Sequence, residues 1–271
     1  MHFVINGIRY HVDIWGEGFP LLLLHGFTGS GEGWREFKSY WITHSRAIAP
    51  DIIGHGKTDS PAEVTSYNIE MVAQDLNALL EELQIEKIDV LGYSMGGRLA
   101  LTFAVNYPKK VRKLILESST PGLETEDERK ARQLQDDKLA LLIKEQGIQI
   151  FVEYWENIPL FQSQKKLPES VQNNIRKQRL TNSSIGLMNS LYGMGTGAQP
   201  PWWDALKHIQ SPTLLITGSK DEKFCQIAKK MAEGIKNSQL VSISDCGHAI
   251  HVEKPEIFGT IVSEFLTKDE F

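Results

Sequence analysis

The chain has 271 residues, 41% of them hydrophobic and 23% charged, with 29 Lys and Arg against 34 Asp and Glu for a formal net charge of −5. That is enough apolar chain for a large core, organised as one domain with an insertion rather than two equal halves. The negative balance excludes a general attraction for nucleic acid or an anionic membrane surface, so an anionic ligand must be met by a local cluster of Arg or Lys.

The start, Met1 to Gly16, alternates like strands and has no basic region leading into an apolar run, so no signal peptide is expected. Val4-Ile5, Asn6-Gly7 and the alternating Ile8, Tyr10, Val12 and Ile14 predict a hairpin closed by an Asn-Gly turn. Leu21 to Leu24, bounded by Pro20 and Gly26, reads as a strand buried on both faces, and as the longest aliphatic stretch it is too short to cross a bilayer. Arg46 to Pro50 is a further strand. From Tyr67 to Leu83 apolar residues fall at helical spacing. Lys87 to Leu91 and Val111 to Leu116 predict buried strands, with a helix over Met95 to Tyr107 between them.

From Pro121 to about Ala205 there is no convincing strand, only charged and amphipathic helical stretches such as Leu134 to Ile150 and Phe151 to Trp155. The strand–helix rhythm then resumes with Thr213 to Thr217, Ile227 to Ile235, Leu240 to Ile243 and Pro255 to Leu266. The pattern predicts an α/β fold with a mostly parallel central sheet flanked by helices. The core spans 1–120 and 205–271, and a helical cap insertion occupies 121–204.

The strongest local motif is Gly92-Tyr93-Ser94-Met95-Gly96-Gly97, placed between an apolar strand and a helix. That context is the one a G-x-S-x-G nucleophile elbow requires, with Ser94 on a sharp, strained turn. The following helix aims its N-terminal N–H groups at the reaction centre. A serine hydroxyl needs a base to take its proton. His248, in the loop after the last strand, is the expected base; His251 is the local competitor and fits better at the entry of the final helix. Asp221, after the Thr213 to Thr217 strand, is the expected acid behind the imidazole, with Glu117 the alternative. The order Ser94, Asp221, His248 matches the chain order of α/β-hydrolases. Met95 N–H and Phe27 N–H, the latter in His25-Gly26-Phe27, are the expected oxyanion donors. His25, Asp51 and His55 are assigned to structure, and Lys220 to the surface.

Two rival motifs fail. Cys246, His248 and His251 have metal-like spacing but no second cluster completes the ligands, so no metal is expected. Gly193 to Gly197 resembles a phosphate loop but lacks a preceding strand, and Pro200-Pro201 follows where a helix should begin. Two cysteines, Cys225 and Cys246, make no disulfide framework; both are expected buried and reduced, in a cytoplasmic protein without membrane insertion, monomeric or weakly homo-oligomeric.

On these motifs the whole chain resembles the α/β-hydrolase fold family. More narrowly it is similar to the 2-succinyl-6-hydroxy-2,4-cyclohexadiene-1-carboxylate synthases of menaquinone biosynthesis. That similarity rests on the elbow extended to Arg98, Pro121-Gly122-Leu123 with Arg129 and Arg132-Gln133, Trp155, Arg179, and Gly195 to Pro200. It implies elimination of pyruvate from 2-succinyl-5-enolpyruvyl-6-hydroxy-3-cyclohexene-1-carboxylate without a cofactor. It also implies that Arg98, Arg132 and Arg179 contact substrate carboxylates while Tyr93 and Trp155 line the pocket. Arg98 lies one helical turn beyond Ser94, where its side chain can reach the same pocket. Arg forks suit a tricarboxylate on a negatively charged protein. A hydrolase of esters, thioesters or C–C bonds is the alternative on the same fold, and a binding protein with a retired triad is the non-enzyme alternative.

Overall fold

The computed structural model describes residues 1–268. Eight strands, β1 (His2–Ile5), β2 (Ile8–Trp15), β3 (Phe19–Leu24), β4 (Ser45–Pro50), β5 (Ile88–Tyr93), β6 (Val111–Glu117), β7 (Thr213–Gly218) and β8 (Ser238–Ile243), form one sheet. Their order is β1-β2-β4-β3-β5-β6-β7-β8. Only β1–β2 and β2–β4 pair antiparallel; the remaining ladders are parallel. The hairpin forms as its sequence predicts: Asn6 at φ 50 and Gly7 at φ 81 join Ile5 to Ile8, the two-residue turn whose twist matches the strands.

The helices are α1 (Lys38–Trp41), α2 (Ile69–Glu82), α3 (Met95–Asn106), α4 (Glu126–Trp155), α5 (Glu169–Leu180), α6 (Ser184–Met194), α7 (Glu222–Gly234), α8 (Ile250–Glu253) and α9 (Pro255–Thr267). Alternation along each central strand divides the core between two faces. Leu22 and Leu24 of β3 pack with α2 and α3, whereas Leu21 and Leu23 pack with Trp41 of α1 and Phe258 and Val262 of α9. Buried on both sides, Leu21–Leu24 of β3 and Leu214–Ile216 of β7 read as short continuous apolar runs, as strands of a covered parallel sheet do, whereas β5 carries the buried Asp89, paired with Arg112.

Between β6 and β7 there is no strand. The chain runs through α4, α5 and α6, which share a small core of Ala140, Ile143, Phe151, Val152, Leu187 and Leu191. Here the structure differs from the sequence reading. Helix α4 begins at Glu126, not near Leu134, because Thr125 and Glu128 form a reciprocal capping box. Its interruption lies at Gly147, where φ is 79 and ψ is 175, rather than at Ile150. Among the described residues no helix is long and apolar enough to cross a membrane. The carboxyl ends of β3, β5, β6, β7 and β8 deliver Phe27, Ser94, Glu117, Asp221 and His248 to one edge of the sheet, the edge where open α/β sheets hold ligands.

Candidate active site

Ser94 stands between β5 and α3 at φ 51 and ψ −107, a left-handed turn that costs a non-glycine residue about 1–3 kcal/mol. Two neighbours make the turn possible. A Cβ at Gly92 would fall on the Gly96 carbonyl, and one at Gly96 would fall on the carbonyls of Leu24 and His25. The Ser94 N–H donates to Glu117 O at 2.9 Å, tying the turn to β6.

The loop after β8 carries His248, 1% exposed, with Nε2 2.9 Å from Ser94 Oγ and Nδ1 2.6 Å from Asp221 Oδ2. Asp221 is also the N-cap of α7, where Oδ1 accepts from Phe224 N at 3.4 Å, so its carboxylate is fixed from both sides. Phe224 packs edge-on against the imidazole with ring centroids 4.6 Å apart. The structure therefore joins Ser94, His248 and Asp221 in one hydrogen-bonded line.

Glu117 and His251, the alternatives for acid and base, make a separate pair. His251 Nδ1 is 2.9 Å from both Glu117 carboxylate oxygens, and its backbone N–H donates to Oε1 at 3.0 Å. Glu117 is fully buried, so its whole hydrogen-bonding capacity goes to residue 251 rather than to His248. The His251 ring meets Tyr93 at 4.5 Å and Trp34 at 5.1 Å between centroids.

Among the described residues neither the Phe27 N–H nor the Met95 N–H has an acceptor, as two donors reserved for a ligand oxygen require. The Phe27 loop is braced by His25, whose Nε2 accepts from Ile52 N at 2.9 Å while Nδ1 meets Gly26 O at 2.8 Å. Burial pushes the His25 imidazole down to about 4, so it works as a neutral strut. Asp51 has a similar duty: Oδ1 accepts from Gly31 N at 2.7 Å and Oδ2 from Lys57 N at 2.8 Å.

A cavity of about 180 Å³ opens over Ser94 and His248, with Tyr93, Trp155, Arg98 and Arg132 in its wall. Arg98, 8% exposed, donates through Nη1 to Met194 O and Gln199 Oε1, both at 2.6 Å. Burial first, and then the Arg132 charge, pull its guanidinium down to about 9. Arg132 donates through Nε to Asp136 Oδ1 at 2.9 Å, and its terminal nitrogens have no partner among the described residues. Trp155 packs edge-on against Phe27 at 5.4 Å, with its Nε1 buried and unpartnered.

Arg179 is placed differently. It lines a second cavity of about 80 Å³ with His251 and Tyr93, on the far side of Phe27 and Phe161. Its guanidinium lies 4.9 Å from the Phe161 ring centre and has no hydrogen-bond acceptor among the described residues. Burial lowers its pKa. Sequence reasoning missed three features here: Asp136, Gln199 as an acceptor for Arg98, and the Glu117–His251 pair. The four-residue spacing of Arg132 and Asp136 is a helical ion-pair signal that could have shown the first.

The rejected motifs find structural roles. Gly193 to Gly197 ends α6, with Gly193 packed on Tyr67 and Gly197 on Arg129 and Gln133. Lys220 pairs with exposed Asp245 at 3.1 Å. Both cysteines are free, but Cys225 is half-buried, not buried as expected, because α7 leaves it near Thr217 and Gly218 at the sheet edge. Burial raises the Cys246 thiol to about 12.

The fold has counterparts among known proteins. The alpha/beta hydrolase fold family matches residues 20–255. A Bacillus subtilis protein named "Putative 2-succinyl-6-hydroxy-2,4-cyclohexadiene-1-carboxylate synthase" is 46% identical over 97% of each chain. The solved structure of MenH from S. aureus superposes with a TM-score of 0.90 at 39% identity, covering 95% of this chain and 97% of that one. A 2-hydroxymuconate semialdehyde hydrolase from a Pseudomonas species is 27% identical over 98% of this chain and 93% of its own. The chain belongs to the α/β-hydrolase fold family and, within it, is similar along its whole length to proteins named for 2-succinyl-6-hydroxy-2,4-cyclohexadiene-1-carboxylate synthesis.

Proposed function

We propose that the protein is a 2-succinyl-6-hydroxy-2,4-cyclohexadiene-1-carboxylate synthase, a carbon–oxygen lyase that eliminates pyruvate from its enolpyruvyl substrate in menaquinone biosynthesis. The observation that carries this reading is the convergence of Arg98 and Arg132 on the same cavity as Ser94. A lipid-ester hydrolase needs an apolar pocket there; a tricarboxylate needs cationic forks. The names of the relatives support the same substrate.

On this reading Ser94, deprotonated through His248 with Asp221 behind it, acts as a general base rather than an acyl acceptor. It takes the proton α to the succinyl ketone. Negative charge develops on the ketone oxygen between the Phe27 and Met95 N–H groups, whose positions are set by the fold before the substrate arrives. The electron pair then moves into the ring, the C–O bond to the enolpyruvyl group breaks, and protonation of that group gives pyruvate. Arg98 and Arg132 orient the carboxylates, so that binding energy goes into alignment. Arg179 serves a more distant carboxylate across the Phe27–Tyr93–Phe161 wall, and residues 121–204 act as a cap that excludes water.

The test is an ultraviolet assay with enzymatically generated enolpyruvyl substrate, following the conjugated diene and pyruvate together. Stoichiometric appearance of both, abolished in Ser94→Ala with substrate binding retained, is the expected result. The second reading, a C–C or ester hydrolase, draws on the serine–histidine–aspartate line itself and on the hydrolases among the relatives. It predicts turnover of nitrophenyl esters and no pyruvate.

A further inference from the structure

Asp136 lies on α4 one turn beyond Arg132 and is 2% exposed. Its Oδ1 accepts from Arg132 Nε, whereas Oδ2 is buried with no partner among the described residues. The carboxylate is walled in by the end of α6: a Cβ at Gly195 would lie 2.5 Å from Oδ2, so only glycine leaves it room. The charged groups acting on it are Arg132 and Asp137 from its own helix and Arg98 from α3; the end of α6 meets it at Gly195, beside the Leu191 carbonyl. A buried carboxylate with one unpaired oxygen and a shared cation is poised to change protonation state when the local charge changes.

We propose that Asp136 is a positioning residue for anion recognition, holding Arg132 through Nε and taking up a proton on Oδ2 when a carboxylate docks on Arg98 and Arg132. This rests on the reading of those two arginines as the substrate's anchors. In the protein alone the charges of Arg132 and Arg98 both act on one carboxylate, which hydrogen-bonds only Arg132. A docked carboxylate draws on the terminal nitrogens of Arg132 and adds negative charge beside Asp136. The ionised form of Asp136 thereby loses support, and its affinity for a proton from solvent rises. Burial already holds its carboxyl above the usual carboxylate range against the pull of Arg132 and Arg98. By linkage, a ligand that binds with proton uptake binds more weakly as pH rises.

The experiment is calorimetric titration of the diene product, 2-succinyl-6-hydroxy-2,4-cyclohexadiene-1-carboxylate, into wild type and Asp136→Asn at pH 6. Each titration is run in two buffers of different ionisation enthalpy to count protons. Asparagine keeps the size and an acceptor for Arg132 Nε but cannot titrate. Wild type is expected to take up measurably more protons per bound product than the variant. KM for the substrate should rise several-fold between pH 5.5 and 7.5 more steeply in wild type than in the variant. Equal proton counts and parallel KM profiles overturn the assignment of Asp136 while leaving the synthase reading intact. Absence of product binding together with absence of pyruvate release overturns both. If Asp136→Asn does not fold, the infrared difference spectrum of wild type decides. The carbonyl band of a protonated buried carboxylic acid must emerge on binding product, and its absence overturns the inference.

Discussion

Two buried acids stand at neighbouring strand ends, and each holds a different histidine, so Asp221→Asn and Glu117→Gln form a matched pair of perturbations. Asp221 Oδ2 sits 2.6 Å from His248 Nδ1, with side-chain exposures of 7% and 1%. On the proposed mechanism His248 takes the Ser94 proton and becomes an imidazolium, and at an effective dielectric near 20 a carboxylate about 4 Å away stabilises that charge by about 4 kcal/mol. Removing the charge costs about 1,000-fold in rate. Asparagine adds a second fault, because its NH₂ donates to Nδ1 and leaves Nε2 protonated, the wrong tautomer for receiving a proton from Ser94. Glu117→Gln removes a charge that His251, not His248, uses, and a loss of less than about ten-fold is expected from so indirect a contact. Both variants are assayed by pyruvate release and, independently of substrate identity, by the rate of Ser94 labelling with a fluorophosphonate, after matched urea midpoints establish folding. Comparable losses in the two variants, or an Asp221→Asn enzyme within ten-fold of wild type, would refute the assignment of roles.

Three further outcomes are expected. Arg98→Ala should raise KM for the anionic substrate at least ten-fold with a smaller change in kcat, since its Nε and Nη2 are left for a ligand; unchanged kinetics would remove Arg98 from the site. Gly96→Ala should abolish labelling of Ser94 and lower the urea midpoint, because the added methyl meets the Leu24 and His25 carbonyls; a normally reactive, stable variant would contradict the packing of the elbow. Burial depresses His25 to about 4 and His55 to about 3, so the unfolded chain binds protons first as pH falls below 6.5. Stability is then complete above pH 6.5 and falls by roughly 1.4 kcal/mol per pH unit for each histidine, down to about 4 for His25 and about 3 for His55. In urea titrations from pH 7 to 4, His55→Leu should remove about half of the histidine-dependent slope; an unaltered slope would mean that His55 is not buried neutral.

How much of this could be read from the chain depends on the range of the interaction. The Asn6-Gly7 turn, the apolar β3 and the Gly92 to Gly97 elbow are local: steric demands of a few adjacent residues decide them, and each forms where expected. Ser94, Asp221 and His248 are distant in sequence, yet the fold's convention that functional groups sit at strand carboxyl ends brings them within reach of inference. The start of α4 was hidden because residues 126–132 are nearly all charged and show no apolar period, although the Thr125–Glu128 capping box was present as a local signal. The break at Gly147 follows from φ 79, which glycine permits but does not compel. No local pattern pairs Glu117 with His251 across 134 residues, and nothing in the polar helix α5 says which wall Arg179 faces. Those are decided by tertiary packing.

The same packing bears on why one catalytic line could serve either hydrolysis or elimination. A hydrolase must bring water to an acyl carbon, and its serine gains by attacking that carbon directly. The wall of the cavity over Ser94 carries the cations Arg98, Arg132 and Lys223 instead, and Arg98 is so buried that its guanidinium is pulled down to about 9. Burying a cation is unfavourable unless an anion compensates it fully, and Arg98 hydrogen-bonds only the neutral Met194 O and Gln199 Oε1, while the nearby Asp136 carboxylate is committed to Arg132. An anionic substrate relieves that cost on docking, whereas a neutral ester does not. On the proposed reading the site discriminates in favour of carboxylates before chemistry begins, and a carboxylate held at Arg98 and Arg132 fixes the orientation of the rest of the molecule over Ser94. What Ser94 meets first, a proton beside a ketone or an acyl carbon, is then set by where those two arginines hold the ligand. On the proposed reading the arginine positions, rather than the serine–histidine–aspartate line, make this α/β-hydrolase fold a lyase.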